Sequence, residues 1–198
     1  MSLFLNKFYL GCVCVFLLSL FSSITQAQQK ERVTHTTSIK AGLTGLSPSK
    51  EYAIAKTFTI NFELGFLQGS VGFGGLVQDG WRVDLPLQAM AEPRLYYNLI
   101  RRSTRNKNVN ANAANFFSLA VVYTSSISIG NVAASPSISL VPHWGFRRMV
   151  GNRFYFEPSI GYGVSYVVSP NSLEGWKDIA SINIKFGILF APLPKGPK

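Results

Sequence analysis

Cysteine is nearly absent: of 198 residues only Cys12 and Cys14 carry a thiol, and both sit in the first apolar stretch. Beyond that stretch no disulfide, thiolate nucleophile or thiolate metal ligand is expected. Acidic residues are also scarce, nine Asp and Glu against nineteen Lys and Arg, for a formal net charge of +10. No segment after Ala27 shows a helix-length 3.6-residue apolar period. No Gly-x-Gly-x-x-Gly opens a helix and no Walker lysine is present, so a phosphate cradle of either kind is not expected.

The first segment reads as an export signal. Lys7 is its only charge, Phe8 to Leu20 is almost wholly apolar, and Thr25 and Ala27 meet the small-x-small requirement of a signal peptidase. Residues 1–27 are thus expected to be removed by cleavage after Ala27, leaving residues 28–198 as one domain. A membrane anchor fits less well, because the apolar run is short of a bilayer span. Cleavage at Leu10-Gly11-Cys12 would leave most of that run on the product. Loss of Lys7 lowers the net charge from +10 to +9. Export and the lack of a basic helix or aromatic-basic platform argue against nucleic acid as the partner of this excess. The densest basic run, Arg101 to Lys107, leads into Asn- and Ala-rich sequence and reads as a loop; anionic headgroups or lipopolysaccharide would suit it, and so would solvent.

What the chain has in quantity is a period of two. From Ile182 to Phe190, Ile182, Ile184, Phe186, Ile188 and Phe190 share one face, while Asn183, Lys185 and Gly187 share the other with Leu189. Arg153 to Val168 repeats this, with Tyr155 and Glu157 opposite Phe154, Phe156 and Ile160. Ile138 to Arg148 sets Ser139, His143, Gly145 and Arg147 against Ile138, Leu140, Trp144 and Phe146. Residues 117–124, 87–99 and 59–66 follow the same rule, and weaker segments cover 36–46 and 50–55. Ser47-Pro48-Ser49 reads as the turn between those two.

Eight strands follow from this count. Apolar faces that are heavy in aromatics, opposite faces carrying mid-strand charge, give the expected fold class: all-β, an eight-stranded antiparallel transmembrane β-barrel. Glu63, Glu92, Arg94, Arg147, Glu157, Lys185 and His143 are then the candidate site, a charge network filling a narrow lumen. The connections 67–85, 125–137 and 169–177 would point outward; 100–115 is longer than an inner turn should be.

The segments Lys50-Glu51-Tyr52 through Phe66, Glu92 to Tyr97 with Arg101-Arg102, Asn115 to Val121, and Phe154 to Glu157 with Gly161-Tyr162-Gly163 resemble the small outer-membrane β-barrel proteins of Bacteroidetes, which are similar to the OmpA-type transmembrane domain. The resemblance implies an outer-membrane location, no shared catalytic residues and no cofactor. Its implied partners are outer-membrane lipid, lipopolysaccharide, the barrel-assembly machinery and an outside ligand at the three long loops. The function expected is a non-enzymatic structural or surface-interaction role with the lumen plugged. A narrow ion or small-solute channel, a lipid-modifying barrel enzyme and a soluble exported barrel binding an apolar ligand stand as alternatives. For the enzyme, His143 lacks any serine tied to it by a motif.

Overall fold

The computed structural model describes residues 32–42, 45–66, 70–73, 81–130, 135–168 and 175–190. The expected signal segment, 1–27, lies outside them. Ten strands run in chain order: β1 (Thr36–Gly42), β2 (Leu46–Ala53), β3 (Phe58–Gly65), β4 (Ser70–Phe73), β5 (Trp81–Leu95), β6 (Asn115–Gly130), β7 (Ser137–Phe146), β8 (Arg148–Val150), β9 (Phe154–Val167) and β10 (Gly175–Leu189). One short helix, α1 (Leu99–Ser103), and a single 3-10 turn at Asn110–Asn112 interrupt them between β5 and β6.

Every pairing is antiparallel, and neighbours in sequence are mostly neighbours in the sheet. The order is β10-β1-β2-β3-β5-β6-β7-β9-β8, with β4 paired to β5. β10 also pairs with β9 from Gly175↔Val167 to Ile188↔Phe154, and with β1 from Ser38↔Leu189 to Gly42↔Lys185. Each of these two contacts holds β10 on one edge, so the hydrogen-bonded path from β1 through β9 returns to β1. The register slips once between β5 and β6, around Pro86, whose ring nitrogen has no hydrogen to give a ladder.

Alternation decides which side of the sheet each residue takes. In β3, Thr59, Asn61 and Glu63 are buried while Phe62 and Leu64 are exposed. β7 buries Ser139, Val141 and His143 and exposes Ile138, Leu140 and Trp144. A one-residue slip would turn each set to the other side, so every strand is pinned by the same chemistry. The apolar part of the interior is small: Val33, Tyr96, Leu99, Ala114 and Phe116 form one cluster and Ala111, Tyr155 and Leu189 another at one end, while Met90 and Ala120 form a third farther along β5 and β6.

That end is covered by the β5–β6 connection. Arg102 Nε donates to the Ala113 carbonyl at 2.9 Å, and Arg147 Nη1 to the Ala111 carbonyl at 2.9 Å. Ala111 and Asn112 adopt left-handed backbone, φ 48° and 64°, and both are buried. The long loop expected at 100–115 is therefore an ordered cap.

Several expectations are corrected here. The eight-stranded transmembrane β-barrel becomes a ten-stranded antiparallel sheet: β4 and β8 are additional short strands, and Ser47, Pro48 and Ser49 lie inside β2 instead of forming a turn. The described parts of the three long connections are strand, in β4, β5, β6, β7 and β10, apart from Ser135 and Pro136, while 67–69, 74–80, 131–134 and 169–174 lie outside the described residues. The interior is not a charge-lined lumen. Its ion-paired side chains touch one another and are shut from solvent, which makes it a packed polar core.

Candidate functional site

The polar core is built from alternate residues of six strands and their flanks. Lys40 of β1, Glu51 of β2, Glu63 of β3, Glu92 and Arg94 of β5, Glu157 of β9 and Lys185 of β10 project inward, with Arg147 just after β7. Four carboxylates meet four cations. Glu157 is the hub: it accepts from Lys40 Nζ at 3.2 Å, from Arg94 Nη2 at 2.9 Å and from Arg147 Nη2 at 2.5 Å. Arg147 Nη1 reaches Glu51 at 2.7 Å, Arg94 reaches Glu92 at 2.5 Å, and Glu63 takes both Lys40 at 2.5 Å and Lys185 at 2.8 Å.

Neutral groups fill the remaining lone pairs. Thr59 and Tyr96 donate to Glu51 at 2.6 and 2.7 Å, Ser118 to Glu92 at 2.6 Å, and Asn61 to Glu63 at 2.9 Å. The two guanidiniums also lie over rings, Arg94 over Phe116 and Arg147 over Tyr155, each 4.6 Å from the centroid. Paired charges with their hydrogen bonds satisfied are tolerated inside a protein; an unpaired one is expensive.

These contacts set the protonation states. Burial alone would raise the Glu51 carboxyl; the Arg147 and Arg94 charges and the Thr59 and Tyr96 hydroxyls overcome it and hold it at about 2. Glu63 is lowered the same way, burial opposing and Lys185 and Lys40 prevailing, and Glu157 lies well below the usual range through Arg147, Arg94 and Lys40. Lys40 is held above its ordinary value by Glu157 and Glu63 against its burial. Every carboxylate here is engaged by donors.

His143 stands apart from the network. It is buried, its Nε2 faces Asn183 Nδ2 at 3.5 Å, and its Nδ1 has no hydrogen-bond partner. Burial lowers its pKa, with Lys185 and Arg94 adding to the shift against Glu92. It borders a small cavity of about 120 Å³ lined by Gln88, Thr124, Ser139, Ser165 and Ser181 among others. The structure thus brings Glu63, Glu92, Arg94, Arg147, Glu157 and Lys185 into one cluster and leaves His143 beside it. Among the described residues no group of three His, Cys, Asp or Glu side chains is arranged to hold a metal.

Lys40 and Glu51 are full members of the network that the sequence reading passed over. Their signal is present: Ser38 and Lys40 alternate with Ile39 and Ala41, and Ser49 and Glu51 with Pro48, Lys50 and Tyr52. Placing a turn at 47–49 hid the second of these.

No family model, curated protein or solved structure matches this chain. The resemblance to Bacteroidetes outer-membrane barrels and the OmpA-type domain is therefore corrected: the segments that carry it are alternating strands around a polar core, a pattern that is not specific to one family. With a core in place of the lumen, the plugged-lumen function and the channel alternative go. The outer-membrane address and the partners that came with it (outer-membrane lipid, lipopolysaccharide and assembly machinery) are carried by nothing in this geometry and are withdrawn with the resemblance.

Proposed function

We propose that this protein is a non-catalytic scaffold whose outer face, and not its charged interior, is the working surface, built to be covered by apolar material. One observation carries the reading: the sheet is inverted relative to an ordinary water-facing domain. Lys40, Glu51, Arg94, Arg147 and Glu157 are at most 2 % exposed, while Phe62, Leu64, Phe117, Tyr123, Ile160, Ile182 and Phe186 are each 47 % exposed or more. Isolated surface hydrophobics are ordinary, but a continuous apolar face marks an interaction surface.

Strand register shows that the face is continuous. Phe62 pairs across to Ala91, Ala91 to Val121 and Val121 to Leu140; one row away, Leu64 pairs to Ala89, Ala89 to Tyr123 and Tyr123 to Ile138. The two alanines of β5 form the floor of a trough of about 660 Å³ with the larger side chains as its walls. The interior then supplies rigidity, because its ion pairs fix the strands that present this face.

The full chain should need a nonionic detergent to stay monodisperse and should bind a stoichiometric belt of it, measured by light scattering with refractive index. Phe62→Ser with Ile182→Ser should reduce the bound detergent without unfolding the core. A chain that stays monomeric in detergent-free buffer and binds no apolar probe would overturn the proposal.

A further inference from the structure

Five of the nineteen Lys and Arg side chains gather in one part of the fold. The interior holds four carboxylates and four cations, so it contributes none of the +10. From Pro93 to Phe156 the sequence has no acidic residue at all. Within that stretch, the cap between β5 and β6 carries Arg101, Arg102, Arg105 and Lys107, and Arg148 of β8 lies against it. None of these five makes an ion pair with a described carboxylate, in a chain where every interior cation has one.

A pocket of about 400 Å³ is lined by Arg101, Arg102, Arg105 and Lys107 together with Tyr97, Asn98 and Asn115. Two of its neighbouring guanidiniums are fixed before any ligand arrives. Arg102 donates to the carbonyls of Ala113 and Asn108 at 2.9 and 3.1 Å, and Arg148 to the Arg147 carbonyl at 2.7 Å and to Asn115 Oδ1 at 2.5 Å. Burial and then the nearby Arg102 charge lower Arg148 from its ordinary value, with Tyr97 opposing.

Tyr97 adds an independent sign. Its phenolic oxygen accepts from Asn115 Nδ2 at 3.1 Å and from Trp144 Nε1 at 3.0 Å. Both lone pairs are taken, and the phenol's own hydrogen has no acceptor among the described residues, so a donor remains at the pocket wall. A pocket with cations, a fixed hydroxyl donor and no carboxylate is complementary to a multiply charged oxyanion.

We propose that this pocket is a binding site for a phosphate monoester, the phosphate held by Arg101, Arg105 and Lys107 with Tyr97 donating to one oxygen. The volume exceeds that of a bare phosphate and leaves room for the attached organic group. Already held by their own acceptors, Arg102 and Arg148 act as positioning residues.

The test titrates inorganic phosphate, a sugar phosphate monoester and chloride separately into the full chain in nonionic detergent, followed by phosphorus line width and calorimetry. Saturable binding of the monoester that chloride does not displace at equal concentration is expected. Arg105→Gln with Lys107→Gln should weaken it about tenfold or more, and Tyr97→Phe about threefold to tenfold, with unchanged circular dichroism. Lys177→Gln, in β10 and away from the cap, should leave it unaltered. Tighter binding of the monoester than of inorganic phosphate assigns the site to a phosphorylated molecule; equal binding assigns it to free phosphate. Absence of saturable binding, or binding unmoved by the double variant and by Tyr97→Phe, overturns the proposal.

Discussion

Asn112 and Thr34 join the cap to the segment that leads into β1 through a reciprocal pair of hydrogen bonds: the Thr34 amide donates to Asn112 Oδ1 at 2.7 Å, and Asn112 Nδ2 donates to the Thr34 carbonyl at 3.0 Å. The side-chain amide thus does what a neighbouring strand would do. Asn is also among the few residues that accept the left-handed φ of 64° found there. Asn112→Ala removes both bonds and leaves two backbone groups unpaired, so a loss of about 1–3 kcal/mol is expected in urea unfolding. Asn112→Asp should not rescue it, since a carboxylate oxygen would then oppose the Thr34 carbonyl. An alanine variant as stable as the parent would show that water replaces the pair without loss.

Glu157 gathers three cations, Lys40, Arg94 and Arg147. Glu157→Gln keeps the shape and removes the charge; Lys40, Arg94 and Arg147 keep Glu63, Glu92 and Glu51 in turn, but the core is left with one positive charge in excess. The expected loss is about 3–5 kcal/mol. Lys107→Gln, at an exposed position, should change stability by no more than about 0.5 kcal/mol. The comparison is made from chemical-denaturation midpoints, and a Glu157→Gln shift no larger than the Lys107→Gln shift would remove the hub from the account.

Acid should unfold this protein through its interior. Glu51 titrates at about 2 in the folded chain against an ordinary 4.5, and Glu63 and Glu157 are shifted in the same direction. A carboxyl lowered by folding stabilises the fold fully above its unfolded value and loses that contribution as pH falls through its folded value. These three groups therefore contribute nothing to any pH dependence between about 7 and 5.5, and stability should fall steeply from about 4.5 towards 2. Added salt should do little to soften the fall, because the pairs are shut from solvent. Unfolding free energies measured along that pH series check both statements.

Gly187 sits directly against the ring of Tyr155, its register partner in β9, where an added Cβ would overlap the ring atoms. Tyr155 cannot easily yield, since its hydroxyl is bonded to Ser38 at 2.7 Å and Arg147 lies over its face. Gly187→Ala is expected to lower stability by about 1–3 kcal/mol and the melting temperature with it. Gly151, at a turn with nothing near its Cβ position but φ 71°, tests a different cause: there the loss would come from backbone conformation alone.

The facing of residues was legible in the sequence because it follows from a two-residue period that local chemistry enforces, as in Asn61 against Phe62 or Lys185 against Phe186. Membership of the network was legible where charge interrupted a strong apolar alternation, which singled out Glu63, Glu92, Arg94, Arg147, Glu157 and Lys185. Lys40 and Glu51 lie in strands whose outward residues mix Thr37, Pro48 and Lys50 with Ile39 and Tyr52, so their contrast with the inner face is weak. The cap was illegible for another reason. Its left-handed Ala111 and Asn112 and its buried alanines are held by Arg102 and Arg147, partners supplied by the tertiary fold. The boundary between the first two strands failed at Pro48, where a turn-forming residue lies in a strand with its ring on the exposed side, and the count failed at the short strands β4 and β8.

Lys185 reaches Glu63 across 122 positions of sequence, and Glu157 reaches Lys40 across 117. Neither carboxylate has its full set of cations until distant strands have docked, and for Glu63 the last of these is β10. Assembly that must await such distant segments is slow, and partly assembled chains hold buried charge without its complement. Such intermediates are penalised, which leaves a single late, cooperative step in which β10 arrives and the whole structure locks.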